Sequence, residues 1–333
     1  MENTSFTIIM PVYNTRKNYL EFAINSVLNI NYINYELIIV DDGSSDETKK
    51  VLNKYKERAT IITQKNTGMC KARINAFKYI HNDYVIFMDS DDYIEPESLA
   101  LLNSIITKHK SDIVLYDFAR FRNDDVNHYF NKQKFLSEGV KCKSEVLEQL
   151  CRLHLNSICS KIIRKELLTS LEHNINPEIR NGDDLQQSTY LVLKAESFYY
   201  TENIIQLYRI LDEQRSYYNI QNITRDINWL IEPLKMLKKN NIDNRLYDIY
   251  YSSAVNNIIF NVFRICILSK NKEERNALLE TISTCDIVTE LKTDRKTLPA
   301  HLKILFSLFN HKSYSMLSLA AKIYDSLFRI QRI

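Results

Sequence analysis

The chain has 333 residues, of which 45% are hydrophobic and 26% are charged, a composition in the globular range that excludes a disordered or fibrous protein. Its 44 basic and 41 acidic side chains leave a formal net charge of only +3, so the charge gives no support for nucleic acid as a partner. The length predicts about two domains.

Three observations favour a cytoplasmic location. No apolar run approaches the roughly 20 residues of a membrane span, and the nearest, from Tyr250 to Phe263, contains Ser, Asn and Tyr. The amino end lacks the basic segment that precedes the apolar core of a signal peptide. Six cysteines without a CxxC pair suit free thiols in a reducing compartment.

The first 120 residues predict strands that alternate with helices. Short apolar runs indicate strands over 6–12, 36–40, 59–63, 84–88 and 112–116. Apolar residues at helical spacing indicate helices over 18–30, 46–55 and 71–80, and Pro96 marks the start of another. This alternation is typical of βαβ units in a mostly parallel sheet, where ligands bind beyond the carboxyl ends of the strands.

Acidic residues follow two of these predicted strands. Asp41 and Asp42 follow the second strand, and Asp89 and Asp91 follow the fourth. A cluster of carboxylates at one sheet edge repels itself unless a cation neutralises it. Such oxygen ligands suit Mg²⁺ or Mn²⁺, which share their coordination shell with substrate phosphates.

A capped turn is the alternative interpretation of the second acidic segment, with Asp92 as the cap of the helix that follows. That interpretation accounts for residues 89–92 taken alone. It does not account for a second acidic segment, 41–48, at the end of a neighbouring strand.

Four segments, taken as a set, resemble the nucleotide-sugar-binding half of the family 2 glycosyltransferases. They are IIMPVYN (8–14), ELIIVDDGSSDET (36–48), QKNTGMCKAR (64–73) and YVIFMDSDDYIEPESL (84–99). The resemblance is strong over residues 5–120 and weaker over 150–216. It implies the GT-A fold, an α/β fold with a Rossmann-like, mostly parallel sheet flanked by helices, and transfer of a sugar from a nucleotide diphosphate with inversion.

The resemblance also implies a domain organisation. A GT-A domain would occupy residues 1–216, with nucleotide-sugar binding in 1–120 and the acceptor side and catalytic base in 121–216. A mainly helical region would follow over 217–333.

Donor-side roles are carried over from the family to matching positions. Pro11 and Tyr13 belong to the nucleotide-binding segment, and Tyr13 resembles the aromatic residue beside the nucleobase. Asp41 resembles the acid that hydrogen-bonds the base, most often uracil, whose N3–H a carboxylate can accept; Asp42 is left to serve the turn. Arg73 resembles the arginine below the donor pocket.

The fourth segment would hold the ribose and the diphosphate. Asp89 is similar to the family's acid near the ribose, and Ser90 stands beside it as a donor-binding residue. Asp91 is similar to the ligand of the Mn²⁺ or Mg²⁺ ion that bridges the diphosphate.

The weaker part of the resemblance implies the catalytic base. Asp183 and Asp184 stand where the family has Glu-Asp, and Asp184 matches the residue that takes the proton of the acceptor hydroxyl, a role that suits a carboxylate. Both acids are candidate catalytic residues, and Asp183 can cap the helix while Asp184 points inward. The alternative is that both acids only cap it.

Two cations complete the predicted acceptor side. Lys161 matches the lysine of a Trp-x-Lys segment in which Cys159 replaces the tryptophan; the alternative is a solvated lysine at a helix start. Arg209 matches the arginine of a Tyr-Arg pair, and either Arg209 or Arg215 could approach the diphosphate. The alternative for these arginines is also simple solvation.

The carboxyl-terminal third predicts helices, and its last part is cationic and amphipathic. Residues 299–333 carry five basic side chains and one acid, a net charge of +4: Lys303, Lys312, Lys322, Arg329 and Arg332 against Asp325. Such a helix can lie on the anionic inner leaflet of a membrane. It can equally pack on its own domain or on a second subunit of a homo-oligomer.

The leading hypothesis is an inverting, metal-dependent transferase of hexose or N-acetylhexosamine. It would use a UDP-sugar, and its acceptor would be a cell-surface glycan, either a lipid-linked O-antigen or capsule unit or a teichoic acid. The alternative from another class is a non-catalytic nucleotide-sugar sensor or scaffold. A sugar nucleotidyltransferase is less favoured, because IIMPVYN lacks the Gly-rich phosphate loop and lysine expected after its first strand.

Overall fold

The chain divides into two units. A computed structural model describes residues 3–122, 124–130, 134–179, 182–210, 227–292 and 298–328. The N-terminal unit comprises residues 1–149 and 154–210, and the helical unit comprises residues 150–153 and 211–333.

A mixed sheet of eight strands is the centre of the N-terminal unit. Across the sheet the strands follow the order β3 (Thr60–Thr63), β2 (Tyr35–Asp41), β1 (Phe6–Val12), β4 (Tyr84–Phe87), β10 (Lys161–Arg164), β6 (Ile113–Tyr116), β11 (Phe198–Thr201) and β9 (Gly139–Lys141). β1 pairs in parallel with β2 and β4, whereas β10 runs antiparallel between β4 and β6. The α/β arrangement expected from the sequence is confirmed.

A second, smaller sheet contains the residues that follow β4 and β6. Its order is β5 (Tyr93–Ile94), β12 (Gln206–Arg209), β7 (Ala119–Arg122) and β8 (Asp125–Phe130). Because β5 and β12 pair, the segment after β4 is fixed by a strand more than 100 residues further along the chain.

Helices connect and cover the strands of the N-terminal unit. They are α1 (Lys17–Leu28), α2 (Asp46–Leu52), α3 (Met69–Ala76), α4 (Ser98–His109), α5 (Lys143–Cys151) and α6 (Asp183–Lys194). α3 packs on β1 and β2, and a 3₁₀ turn over Phe77–Tyr79 continues it. The predicted helix over 71–80 therefore begins two residues earlier, directly after Gly68.

The position of β1 in the core explains why its sequence is an almost unbroken apolar run. All seven residues of β1 are buried, because helices cover both faces of a strand in the middle of the sheet. Leu20, Ile24 and Val27 of α1 belong to the same core. Full burial of each such side chain contributes roughly 1.5–3 kcal/mol to the stability of the fold. This packing fixes the positions at which the strands end.

The helical unit contains α7 (Ile231–Lys239), α8 (Asn244–Leu268), α9 (Lys272–Ser283), α10 (Asp286–Leu291), α11 (Ala300–Asn310) and α12 (Tyr314–Phe328). Within the described ranges, α8 alone has the length and composition of a membrane span, with 44% of its most apolar stretch buried. The expectation that no apolar segment reaches that length is therefore wrong for α8. α8 packs against α11 and α12, as the central helix of a helical unit does.

The amphipathic character predicted near the carboxyl end is present in α12. Leu317 and Ala321 are buried, while Met316, Leu319 and Ile323 are exposed. One face of α12 therefore packs on its own unit and the other is open. Contact with a membrane or a second subunit stays a prediction.

Candidate active site

The loops that follow β1 and β2 are joined into one surface at the carboxyl edge of the sheet. Asn14, with φ of 51°, donates its backbone N–H to Ser44 Oγ at 3.1 Å and accepts the N–H of Ser45 on its side-chain oxygen at 2.8 Å. Tyr13 is 54% exposed on this surface. Pro11 lies inside β1 opposite Val40, so it shapes the strand below the surface.

Asp41 presents one unused carboxylate oxygen here. Its side chain is buried, and Oδ1 accepts the N–H of Ser44 at 2.8 Å. Oδ2 is buried without a hydrogen-bond partner among the described residues. Because an unpaired buried acceptor costs about 1–3 kcal/mol, this atom is suited to accept a hydrogen bond from a ligand.

Asp42 and Gly43 fix the neighbouring loop instead. Asp42 Oδ1 accepts from Gln64 Nε2 and from the N–H of Thr67, and its Oδ2 accepts from the N–H of Gly68, at 2.7–2.9 Å. A Cβ on Gly43 would lie 2.7 Å from the backbone N of Asn66, and φ of Gly43 is +79°. Only glycine fits this close approach, and Asp42 serves the turn as the sequence indicates.

Arg73 joins acids from the predicted donor side and the predicted base side. Its side chain is 1% exposed, and it donates to Asp184 Oδ1 at 2.7 Å and to Asp89 Oδ1 at 3.2 Å. Asp183 Oδ2 lies 3.6 Å from the same guanidinium. Three carboxylates from two distant parts of the chain therefore surround one buried cation, and that cation offsets their mutual repulsion.

Cys159 closes this cluster in the place of the family's tryptophan. Its thiol is buried, 3.8 Å from Arg73 Nη2 and 3.8 Å from Asp89 Oδ1. Burial, reinforced by the charge of Asp89, raises the pKa of this thiol well above its usual value. Cys159 is consequently a neutral neighbour of the acids and not a thiolate nucleophile.

The two acids at the start of α6 have different surroundings. Asp184 is 30% exposed, and its Oδ2 accepts from Ser157 Oγ and from the N–H of Ile158, both at 3.3 Å. Asp183 is buried and accepts from Gln187 Nε2 at 3.0 Å. Burial and the charge of Asp184 raise the pKa of Asp183 to about 7. Asp183 makes no side-chain cap hydrogen bond, because Gly182 occupies the cap position; the prediction that Asp183 caps α6 is therefore wrong.

The 89–92 segment is built around Arg209. Arg209 is fully buried; its Nε donates to the carbonyl of Asp91 at 2.6 Å, and its backbone N–H donates to Asp92 Oδ1 at 2.9 Å. The guanidinium also pairs with Asp124. Three aromatic rings lie 4.4–4.9 Å from it: Tyr19, Phe22 and Phe121.

These contacts correct two expectations. Asp92 caps no helix, since α4 begins at Ser98 after Glu97, and it instead binds the backbone of β12. Arg209 is not a solvated arginine: in the structure it holds the 89–92 segment from below. Arg215 lies outside the described residues.

Ser90 is buried in this segment, and Asp91 is half-buried. Ser90 Oγ lies 2.6 Å from Thr15 Oγ1, in the loop after β1. Burial and the charge of Asp89 raise the pKa of Asp91 to about 6. A carboxylate whose charge is this unfavourable is stabilised by a nearby cation.

Asp91 and Asp89 provide the chemistry that a divalent metal would require. Within the described ranges there is no group of three or more metal-ligating side chains. Mg²⁺ and Mn²⁺ suit such a sparse set, since they keep water and take oxygens from substrate phosphates. Asp91 therefore fits a metal shared with a diphosphate, with Asp89 beside it.

Lys161 lies in the interior and not on the surface. It is fully buried in β10, and its ammonium donates to the carbonyls of Leu155 and Ser157, both at 2.6 Å. The alternative of a solvated lysine is wrong. Its hydrogen bonds fix the backbone of the 155–160 segment. Ser157 and Ile158 of that segment donate hydrogen bonds to Asp184, so Lys161 supports the predicted base indirectly.

The structure thus brings Arg73, Asp89, Asp183 and Asp184 together. It places Tyr13 on the surface made by the loops after β1 and β2, and it buries Asp41 at the end of β2. Sequence reasoning missed Ser157 and Thr15, which orient Asp184 and Ser90. Ser157 begins the Trp-x-Lys-like segment, so the match to that segment was a usable signal. Nothing in the sequence near Thr15 indicates its partner.

Comparison with solved structures gives the class of fold. The chain superposes on the Staphylococcus aureus TarS fragment 1–349, crystallised with UDP-GlcNAc, with a TM-score of 0.73 and 19% identity; the match covers 97% of this chain and 92% of that one. This likeness shows the GT-A fold that the sequence predicted.

Sequence comparison finds a family model that covers about half of the chain. Residues 7–171 match the model described as "Glycosyl transferase family 2". The chain is 29% identical over 216 residues to the glycosyltransferase GlyA of Streptococcus pneumoniae, covering 61% of this chain. It is 25% identical over 253 residues to the minor teichoic acid biosynthesis protein GgaB of Bacillus subtilis, covering 72% of this chain.

TarS itself is also similar in sequence, with 28% identity over 209 residues and coverage of 59% of this chain. The matches cover only 30% of GlyA, 27% of GgaB and 35% of TarS. The chain therefore spans about a third of the length of these relatives.

Proposed function

We propose that this chain transfers a sugar, with inversion, from a UDP-sugar to a hydroxyl of a cell-surface polymer. The observation that carries the proposal is the position of Arg73. Its guanidinium contacts Asp89, on the donor side, and Asp184, the proposed base, which lies 111 residues further along the chain. The donor acid and the base acid are thereby held at one place, as a direct displacement requires.

The donor would bind across the loops after β1, β2 and β4. Asp41 Oδ2, buried without a partner among the described residues, would accept the N3–H of uracil, and the exposed ring of Tyr13 would lie beside the base. Support for UDP comes from the TarS crystal structure with UDP-GlcNAc. Asp89 and Ser90 would face the ribose.

Asp91, with Asp89 beside it, would hold Mn²⁺ or Mg²⁺. When bound, such an ion neutralises charge on a diphosphate leaving group. The protein's part is to keep the segment in place, which Arg209 does through the Asp91 carbonyl and the Asp92 carboxylate.

Asp184 would act as the general base. As the acceptor oxygen forms its bond to C1 of the sugar, the hydroxyl proton passes to Asp184 and the bond between C1 and the diphosphate oxygen breaks. A positioned base of this kind contributes about 10²–10⁴ in rate. A carboxylate has about four acceptor sites, so its three hydrogen bonds in this structure leave one free for the hydroxyl.

The acceptor would be a teichoic-acid or capsule type of polymer. GgaB is named for minor teichoic acid biosynthesis, and TarS is named a poly(ribitol-phosphate) β-N-acetylglucosaminyltransferase. A cytoplasmic site of action, at the inner face of the membrane where such polymers are assembled, follows as part of the proposal.

A donor screen tests the proposal. UDP release from a panel of UDP-sugars is measured with Mn²⁺, with Mg²⁺ and with EDTA, for the wild type and for Asp184→Asn. We expect metal-dependent release that the variant lacks. Binding of UDP-sugars by calorimetry without any release or transfer would instead indicate a nucleotide-sugar sensor.

A further inference from the structure

A basic cleft lies on the flank of the N-terminal unit, and no step proposed above uses it. It has a volume of about 880 Å³ and lies between α3 and residues 165–177. Its wall combines apolar side chains with three lysines: Ile74, Phe77, Ile80, Leu168 and Pro177, and Lys71, Lys78 and Lys165. We call it the α3 cleft.

The α3 cleft and the active site share one helix. Arg73 lies on the buried face of α3 and contacts Asp184. Lys71, Ile74 and Lys78 follow helical spacing on the other face, which lines the cleft. The two sites are therefore separated by the thickness of α3.

The cleft also has a direction. Lys71 lies in the first turn of α3, close to Arg73. Lys78 lies seven residues on, in the 3₁₀ turn that continues α3, roughly 10 Å along the axis. Beyond it, Lys165 donates its backbone N–H to the carbonyl of Asp83 and its ammonium to the carbonyl of His81, just before β4 begins. The cleft thus runs from the active-site edge of the sheet toward the opposite edge.

Positive charge along this path is only partly neutralised. Within the described ranges, neither Lys78 nor Lys165 lies within 4.0 Å of a carboxylate oxygen, and the ammonium of Lys78 lies over the ring of Tyr79. Lys71 pairs with Glu178. Glu172, an acid of the wall itself, lies 3.2 Å from His173.

We propose that the α3 cleft binds the phosphodiester backbone of an anionic polymer acceptor, which runs along α3 toward Asp184. This inference rests on the proposed function and adds where the acceptor binds. Lysines on a path of roughly 10 Å or more suit repeated phosphates, because an ammonium contacts a phosphate as a point charge. The apolar wall between them suits the carbon chain that links the phosphates.

Glu178 competes with the polymer in this arrangement. Its carboxylate pairs with the ammonium of Lys71 at the end of the cleft nearest the active site. Glu178 stands five residues before Asp183 in the sequence. A phosphate that reaches Lys71 must displace it. Removing the charge of Glu178 should therefore strengthen polymer binding, the opposite of removing a lysine.

The test is binding of a fluorescently labelled ribitol-phosphate oligomer to the full chain, followed by anisotropy at several salt concentrations. In Lys78→Gln/Lys165→Gln we expect Kd to rise roughly two- to thirtyfold, as for the loss of two exposed ion pairs, and its salt dependence to weaken. Glu178→Gln should lower Kd. The control Lys108→Gln, an exposed lysine of α4, should bind as the wild type does, and an uncharged oligosaccharide should show none of these differences.

An unchanged Kd in the double variant, an equal loss in the Lys108 control, or no binding by the wild type would each overturn the inference. Thermal melting checks that the variants fold. UDP release from the donor, measured on the same preparations, separates this inference from the proposed function. If UDP release depends on the metal but the Kd for the oligomer does not change with these substitutions, only the cleft inference is rejected. If no UDP is released, the proposed function is rejected, whatever the anisotropy shows.

Discussion

Replacing Asp184 with asparagine separates catalysis from binding most sharply. The amide keeps the size of the carboxylate but cannot take a proton, so kcat should fall by about 10²–10⁴, which corresponds to roughly 2.7–5.5 kcal/mol in the barrier. UDP affinity should barely change, because the proposed donor contacts come from Asp41, Tyr13 and the 89–92 segment.

The structure also predicts a separate stability cost for this substitution. Asp184 accepts from Arg73, Ser157 Oγ and the N–H of Ile158. An amide offers one oxygen, so either Arg73 or the N–H of Ile158 loses its acceptor and faces an NH₂ group. We expect a loss of about 1–3 kcal/mol in the free energy of unfolding, visible in urea titration.

Steady-state curves, calorimetry with UDP, and urea titration of Asp184→Asn and Asp183→Asn provide the measurement. The Asp183 variant should keep most of its turnover. If Asp183→Asn is inactive and Asp184→Asn is active, the assignment is wrong by one residue. If both keep more than about a tenth of wild-type kcat, a loss far below that expected of a general base, the base lies elsewhere.

Four further outcomes are expected. Asp41→Ala should weaken UDP binding by about 1–3 kcal/mol, since the uracil N3–H loses its acceptor; an unchanged Kd by calorimetry would assign that contact to another group. Asp91→Ala should abolish metal-stimulated UDP release without unfolding the chain, and full wild-type release in EDTA would contradict the metal role. The pKa of Asp183 is raised to about 7 in the folded state, so between about pH 4 and pH 7 the folded chain keeps a proton that the unfolded chain has lost. The free energy of unfolding should therefore decline across that range relative to Asp183→Asn. Parallel stability curves for the two proteins would refute this. Lys161→Met should cost about 1–3 kcal/mol of stability, because two buried carbonyls lose their donor, while UDP affinity measured by calorimetry stays the same; a stable variant with weakened UDP binding would show direct contact instead.

The position of the donor-side residues could be predicted because parallel strands end at one edge. Apolar runs identified β1, β2 and β4 closely, and Asp41 and Asp89 then had to lie at that edge. The roles of Asp42 and Gly43 could equally be predicted, because a turn of that length needs both a side-chain acceptor and a residue that tolerates positive φ.

The supporting residues could not be predicted, because their partners are distant in sequence. Arg209 contacts the carbonyl of a residue 118 positions earlier, and no periodicity near Arg209 indicates that pairing. In the sequence, Lys161 resembles a solvated lysine. It is buried because β10 lies between β4 and β6, a position that the sequence does not indicate. Asp92 resembles a helix cap until β12 pairs beside it.

The sharing of Arg73 between two stretches of the chain bears on how a shortened protein would behave. The segment that matches the family model ends at residue 171, before Asp183 and Asp184. A fragment cut there would keep the guanidinium in its apolar surroundings, 5.9 Å from the ring of Phe87, with Asp89 as its remaining carboxylate among the three described. Breaking a buried ion pair on one side costs about 3–5 kcal/mol, a large part of the total stability of a typical domain. The part of the N-terminal unit that carries Arg73 and Asp89 is therefore expected to be much less stable without α6, and the two are expected to fold as one cooperative unit.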